Sequence, residues 1–554
     1  MKTNKINIKA IVGTLSLALF FSLSSCTKDL ERTPIIETTG DAIFSDFKNY
    51  QYALAKLYGG LAHGGQEAGG GGADISGIDG NFSQYTRQLF TLQVLPTDEA
   101  VIAWNDGTLQ TIHNMTWDSS NEFVAAMYYR IYTEIAFCNE FLRNTSDAKL
   151  TSNNITGADL TEAKYMRAEA RFLRAQSYYH ALDLFGNVPF VDETYLPGSP
   201  TPPKRITRAD LFKYVESELL AVANELKDPK TNQYARVDKA AAWTLLARLY
   251  LNSEVYTGTA KYADVITYTQ KVIGAGYGLK HNYVKDGNGN IIGDKGYPEL
   301  FLADNHLNNP EVIMPVAFDG VHIKTFGGTT YLVHAAVGGK MPASDFGING
   351  GWGGLRTTKA YVALFGGAGT NDKRGNFYTN GQTLEINDLS NFADGYAFVK
   401  YKNVTSTGAE GSDGPKAGSG DFVDADIPLY RLADVYLMYA EAVLRGGGGS
   451  TTTALGYVND LRKRAGATPV TTISRDFILD ERGRELGWEM TRRTDLIRYG
   501  KFTTAAYLWP WKGGVKDGQA VGDYRNLYPI PAKDLVANPN LFKILDIIKI
   551  QNCN

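Results

Sequence analysis

The sequence predicts a mainly α fold: a scaffold of paired helices interrupted by long irregular insertions that carry short strands. Three observations point to it. Eight segments repeat apolar residues at three- and four-residue spacing, these segments fall mostly in consecutive pairs, and two long tracts, 59–119 and 276–425, lack that period and are rich in Gly, Asn, Asp and Thr.

Taken in order, the chain opens with Lys2, Lys5 and Lys9 and then runs uncharged from Ile11 to Leu23. A charged start before a short apolar run is the pattern of a signal peptide, and the run falls short of the roughly twenty apolar residues that a spanning helix needs. Residues 1–25 are therefore expected to be removed. Leu23-Ser24-Ser25-Cys26 has the form of a bacterial lipobox, in which Cys26 becomes the first mature residue and its sulfur carries a diacylglycerol; an ordinary cleavage site with an incidental Cys is the competing reading. Acyl chains at about 0.8 kcal/mol per buried methylene hold a protein to a membrane without a spanning helix. Thr27-Lys28-Asp29-Leu30-Glu31 resembles the tag that sends lipoproteins to the outer cell surface, and 31–36, with Pro34, reads as an extended tether. The mature chain, 26–554, is expected to form a single domain.

Composition narrows the function. With 554 residues, 44% hydrophobic and 21% charged, the chain is an ordinary large globular protein. A formal charge of -3 gives no basic excess, which disfavours nucleic acid and anionic membrane surfaces as partners and is compatible with uncharged glycans. Three Cys build no disulfide framework, and Cys138, in an apolar helical stretch, reads as a small buried hydrophobe. The seven His show no paired spacing of the kind a zinc site needs. The 33 Tyr, 25 Phe and 7 Trp divide into two populations: those in periodic helices belong to the core, and those in Gly-rich loops can be exposed platforms.

The helical segments are 121–143, 161–184, 208–227, 236–254, 260–274, 428–445, 453–465 and 475–499, giving a scaffold over 121–275 and 428–500. Ala240, Trp243, Ala247 and Tyr250 share a face in one, and Leu432, Val435, Tyr436 and Tyr439 in another. Small residues beside large aromatic ones are what stacked helix pairs of the tetratricopeptide type use, although the uneven spacing makes any repeat degenerate. The insertions carry β-like runs at Glu311-Val312-Ile313-Met314 and Tyr396-Ala397-Phe398-Val399. Irregular loops this long inside a compact domain are usually functional, so the binding surface is expected there.

Several of these segments resemble the hallmarks of the SusD/RagB family. They are Arg167-Ala-Glu-Ala-Arg-Phe-Leu-Arg-Ala175 with Tyr178-Tyr179 and Leu184-Phe-Gly-Asn-Val-Pro189, the run from Asp426 to Ala442, Glu481-Arg-Gly-Arg-Glu-Leu486, Arg492-Arg-Thr-Asp-Leu-Ile-Arg498 and Tyr528-Pro-Ile-Pro531. Their order spans almost the whole mature chain. The resemblance implies a lipid-anchored, surface-exposed outer-membrane protein that is not an enzyme and captures glycan for a TonB-dependent β-barrel transporter. In the loops, Leu95-Pro-Thr-Asp-Glu99 leading to Ala103-Trp-Asn-Asp106, Phe326-Gly-Gly-Thr-Thr-Tyr-Leu-Val333, Asn349-Gly-Gly-Trp352 and Trp509-Pro-Trp-Lys-Gly-Gly514 are similar to the family's starch-binding founder. By that resemblance Trp104, Tyr331 and Trp352 form an aromatic arc, while Asp79, Arg87 and Asp106 supply hydrogen bonds to sugar hydroxyls.

The chemistry suits such a ligand. A pyranose offers an apolar C–H face to an aromatic ring and an edge of hydroxyls to planar donors and acceptors, and an arc would select the curved α-1,4-glucan over a straight β-1,4 chain. The competing readings are a hydrophobic plug for each aromatic residue and a salt-bridged strut for Arg87, Asp79 and Asp106. Two positions depart from the founder: Ile102 stands where it has a second Trp, and Gly107 where it has an amide side chain. Asp424 and Asp426 resemble a carboxylate pair suited to calcium, with a solvated turn as the alternative, and no cofactor is required. Asp286-Gly-Asn-Gly-Asn290 starts like a calcium loop but has Ile291 at the Gly position, and Gly69 to Gly72 lacks the Lys and Ser/Thr of a phosphate loop. After Leu541 the chain departs from the family's polar ending. The alternatives to α-glucan capture are a different glycan, a peptide, or glycoside hydrolysis, the last requiring two carboxylates flanking a cleft.

Overall fold

A computed structural model describes residues 43–541. The signal segment, Cys26 and the tail after Leu541 lie outside the described residues. Within them the expected mainly α architecture is observed, as a chain of helices that each pack on the next. Glu122–Asn144 packs on Gly157–Leu184, that helix on Arg208–Glu225, and Arg208–Glu225 on Lys239–Leu251, which packs on Tyr262–Ile273. The backbone then leaves on the long insertion and returns as Leu432–Leu444, which packs on Tyr262–Ile273 and receives Thr451–Ala465 and Arg475–Leu486.

Local chemistry starts these helices where it should. Asn121, Thr207, Asp238, Ser450 and Ser474 each accept a backbone N–H of the first turn, a cap that contributes about 1 kcal/mol. Ala240, Ala241, Ala242 and Ala247 are fully buried and let neighbouring backbones approach, while Tyr250 fills the adjacent space. Cys138 is a buried free thiol, as expected, and burial pushes its pKa well up.

Five elements differ from the sequence reading. The segment beginning at 428 is a strand first: Ile427–Arg431 pairs antiparallel with Val312–Val316 before the Leu432–Leu444 helix starts. The expected helix 475–499 is two, Arg475–Leu486 and Arg492–Arg498, parted where Trp488 and Met490 take positive φ of 62° and 61°. Trp488 is buried there with its indole N–H donating to Glu99 O at 3.1 Å, so tertiary docking outweighs helical period. Phe47–Ala62 was not anticipated, and the two irregular tracts contain Tyr85–Gln93 and Gly328–Ala336. Both of the latter are buried along their whole length. Each spans only nine residues, too short a window for a three- and four-residue period to stand out. The second β-like run is seen as Ala397–Phe398, paired with Phe377–Tyr378.

The family motifs on the scaffold form a buried ion network. Glu485 receives Arg431 at 2.7 Å, Arg464, and Arg374 at 3.1 Å; Glu311 receives Arg431 at 2.9 Å and Arg464; Glu489 receives Arg431 at 2.6 Å and Lys400 at 2.5 Å. These groups come from six separate stretches of chain, so the network ties the returning helices to the insertion. No helix among the described residues is long and apolar enough to cross a membrane.

Candidate functional site

The loop motif Leu95–Glu99 is an anchor. Arg492 grips both oxygens of Asp98 at 2.8 Å, Tyr507 donates to the same carboxylate at 2.7 Å, and Thr358 Oγ1 donates to Asp98 O at 2.6 Å. Glu99 accepts Trp488 N–H at 2.8 Å and is fully buried, which pushes its carboxyl up to about 8 despite Arg492 nearby. From this fixed base Val101–Ile102 pairs antiparallel with Leu355–Arg356, and Ala103 N–H donates to Gly354 O at 2.9 Å. Trp104 thus leaves a short ladder directly beside Trp352.

The structure brings Trp104 and Trp352 together. Both rings are half-buried, their centroids lie 6.3 Å apart with planes at 45°, and the Trp104 indole N–H donates to Trp352 O at 3.1 Å. The buried His334 ring stacks on Trp352 at 4.6 Å and 21°, holding one of its faces. Phe326, half-buried, meets Trp352 at 6.0 Å and 63°. Successive planes therefore turn, and the surface they make is curved rather than flat.

Tyr331 lies behind this surface. It is 2% exposed, 6.1 Å from Trp104, and covered by the Arg87 guanidinium 4.3 Å above its ring. Of the three residues expected in the arc, Trp104 and Trp352 lie side by side and half-buried, Tyr331 is buried behind Trp104, and Phe326, the first residue of the motif that holds Tyr331, borders Trp352 instead. His334 and Phe82 carried no signal in the sequence.

Arg87 is held between Phe82 at 4.2 Å and Tyr331, and its Nη1 donates to Asn81 O at 2.7 Å and Phe326 O at 2.9 Å. It fastens the loop before Tyr85–Gln93 to the Phe326 loop. Nε and Nη2 make no hydrogen bond to a described residue, so part of the donor fork is uncommitted. Burial lowers the guanidinium to about 10, against the pull of Tyr331, Asp106 and Asp79, and it stays charged at neutral pH. Both of these Asp are exposed: Asp79 caps a short 3₁₀ turn through Asn81 N at 2.8 Å, and the Asp106 carboxylate bonds to no described residue. Ile102 is fully buried in the ladder, and Gly107, at φ +45°, sits with the Glu122 carboxylate where a Cβ would lie.

Asp424 accepts Gly320 N–H at 2.8 Å and both donors of Ser412, while Asp426 accepts Phe318 N–H at 2.8 Å and the Tyr234 hydroxyl. Each oxygen accepts from an N–H or O–H donor, so both carboxylates clamp loops. No cluster of three or more His, Cys, Asp or Glu among the described residues is suited to a metal ion.

Two glycines shape the surface. A Cβ at Gly354 would lie 2.6 Å from Trp104 Cε2 and Cζ2, inside contact distance, so only glycine lets the indole settle against the ladder. Gly354→Ala is expected to displace Trp104 and weaken glycan binding about tenfold. A calorimetric titration that gave wild-type affinity would show that the ring position does not matter. Gly69, at φ +68°, packs its backbone on the Phe326 ring and donates to Lys324 O at 2.9 Å. The poly-Gly run read as flexible backbone is thus a close-packed loop.

Two family profiles match the chain: one described as "SusD family" over residues 366–545, and one described as "Starch-binding associating with outer membrane" over residues 79–251. The chain is 34% identical to the starch-binding protein SusD of Bacteroides thetaiotaomicron, covering 96% of this chain and 98% of that one. It is 24% identical to the SusD-like protein P2 of Formosa agariphila over 95% of this chain and 97% of the other. Among solved structures, a SusD-like carbohydrate-binding protein from Bacteroides fragilis superposes with a TM-score of 0.68 at 20% identity, over 90% of this chain and all (100%) of that one. A SusD superfamily protein from Parabacteroides distasonis gives 0.66 at 20%, over 92% and 99%. At these identities the solved structures speak for the fold alone.

Proposed function

Since the chain belongs to the SusD family, we propose that it is a cell-surface lipoprotein that captures starch or a related α-glucan and passes it to a TonB-dependent outer-membrane transporter. The observation that carries the reading is the Trp104–Trp352 pair, two half-buried rings fixed at 45° on a short ladder and continued by Phe326 at 63°. A turning aromatic surface follows the curvature of an α-1,4 chain, each ring covering the apolar face of one sugar. Asp106, Asp79 and the uncommitted part of Arg87 stand at its margin, where hydroxyls would need acceptors and donors. The relative with 34% identity is named for starch binding, which supports the same ligand class.

Capture rather than hydrolysis is the proposed activity. The relative at 34% identity is named for binding, which supports capture, whereas hydrolysis needs two carboxylates flanking the scissile bond. Attachment through Cys26 and outer-membrane placement follow from the lipobox, and a matching family profile is described in terms of the outer membrane.

Electrophoresis of the mature protein through a gel containing soluble starch tests the reading. Retardation relative to a starch-free gel is expected, with maltooligosaccharides recovered at unchanged length. Unretarded migration, or steady release of shorter sugars, would overturn it. Co-purification with a β-barrel transporter from gently solubilised membranes is the expected result for the partner, and its repeated absence would remove that step.

A further inference from the structure

Across the poly-Gly loop from the aromatic rings lies a groove of about 1180 Å³, bounded by the Phe47–Ala62 helix, the 233–236 turn and the 321–324 segment. This exceeds the roughly 300–1,000 Å³ of a pocket for one small ligand. We infer that the groove is a second glycan subsite, centred on Tyr234, that takes further residues of the same glucan chain bound at Trp104 and Trp352. The inference rests on the proposed function and extends it to chain length.

Three observations carry it. The first is an aromatic face held in place. Tyr234 is 53% exposed, yet its hydroxyl donates to Asp426, which is itself fixed by Phe318 N–H at 2.8 Å. A ring tied at its tip cannot swing away, so its face is presented as those of Trp104 and Trp352 are. Ala235, next to it, holds the turn at φ 62°.

The second is the charge of the groove. Three of its four Lys and Arg are paired within the protein: Lys56 with Asp74 at 3.3 Å, Lys227 with Glu162 at 2.8 Å, and Arg236 with Glu162 at 3.0 Å and Glu169 at 2.5 Å; the fourth, Lys324, lies with its Nζ 5.8 Å over the Phe422 ring. The side chains of Gln51 and Gln66 are exposed and bond to no described residue. Mostly paired charge with free amides suits an uncharged chain of hydroxyls better than an anion.

The third is continuity with the aromatic surface. The poly-Gly loop forms one wall of the groove through Gly65, Gln66, Glu67 and Ala68, while its Gly69 packs on Phe326. Gly69 and Thr325 form a single parallel bridge that ties the poly-Gly loop to the 321–326 segment. Lys324 lines the groove and Phe326 borders Trp352. The groove therefore begins where the outer rings end.

Calorimetric titration of maltotriose and of a long linear amylose fragment into the wild type, Tyr234→Ala, Tyr234→Phe, Gln51→Ala and Trp104→Ala tests the inference. The wild type should bind the long chain more tightly than maltotriose. Tyr234→Ala should lose about tenfold for the long chain and nothing for maltotriose. Tyr234→Phe, which keeps the ring, should retain most long-chain affinity, and Gln51→Ala on the exposed helix face should show a smaller loss confined to the long chain. Trp104→Ala should weaken both ligands. Long-chain affinity unchanged in Tyr234→Ala and Gln51→Ala, or an equal loss for both ligands, would overturn the second subsite while leaving the first intact. A wild type that binds neither ligand would overturn the functional reading itself.

Discussion

Trp104→Ala should weaken α-glucan binding roughly five- to hundredfold, the loss of about 1 to 3 kcal/mol expected of an aromatic stacking platform. Trp104 is half-buried, contacts Tyr331 and Trp352 at its edges, and spends its one donor on Trp352 O. The substitution removes a surface and one hydrogen bond, not the centre of the core. A fully buried indole would behave otherwise: its deletion costs about 3 to 5 kcal/mol of stability, as is expected for Trp488 at 1% exposure. Titration and thermal melting of the same variant separate the two roles. A large fall in Tm with undiminished affinity per folded molecule would make Trp104 a plug.

The largest expected stability effect is at Glu485. Its carboxylate is unexposed and meets three guanidinium groups, from Arg431, Arg464 and Arg374, themselves 0–1% exposed. Glu485→Gln should destabilise the fold by about 3 to 5 kcal/mol, because it strands buried cations that have lost their counter-charge. Burial alone would raise this carboxyl, but Arg464, Arg431 and Arg374 hold it well below the usual carboxylate range. A depressed folded pKa contributes stability that is fully present above the unfolded value of 4.5 and is lost as pH falls below it. Denaturant unfolding across that range should therefore show a steep acid decline in the wild type and a shallower one in Glu485→Gln. Equal slopes, or a loss under about 1 kcal/mol at neutral pH, would mean that the network contributes little.

The scaffold was legible because amphipathic helices declare themselves: apolar residues at three- and four-residue spacing, as in 236–254, located most of the stacked helices. Tyr85–Gln93 and Gly328–Ala336 were not legible, since each is nine residues long, shorter than the window over which a helical period can be read. The break at Trp488 was invisible for another reason, being set by Glu99, which lies 389 residues away in sequence. At the site, residue type and motif found Trp104 and Trp352, and the structure places them side by side. They did not reveal which aromatic faces outward, because Tyr331 and Phe326 stand five positions apart in one motif and only the placement of Arg87 over Tyr331 decides between them. Gly354 drew no attention in the sequence and the Gly69 to Gly72 run read as flexible backbone, whereas Gly354 and Gly69 each admit a ring to within contact distance.

The central claim is that a curved aromatic surface at Trp104, Trp352 and Phe326 selects a curved glucan. Parallel calorimetric titration of maltoheptaose and of a β-1,4-linked glucose oligomer of equal length into the wild-type protein tests it most directly. Saturable binding of maltoheptaose, at least about tenfold tighter than the straight chain, is the expected result. Equal affinity for the two, or preference for the β-1,4 chain, would contradict it.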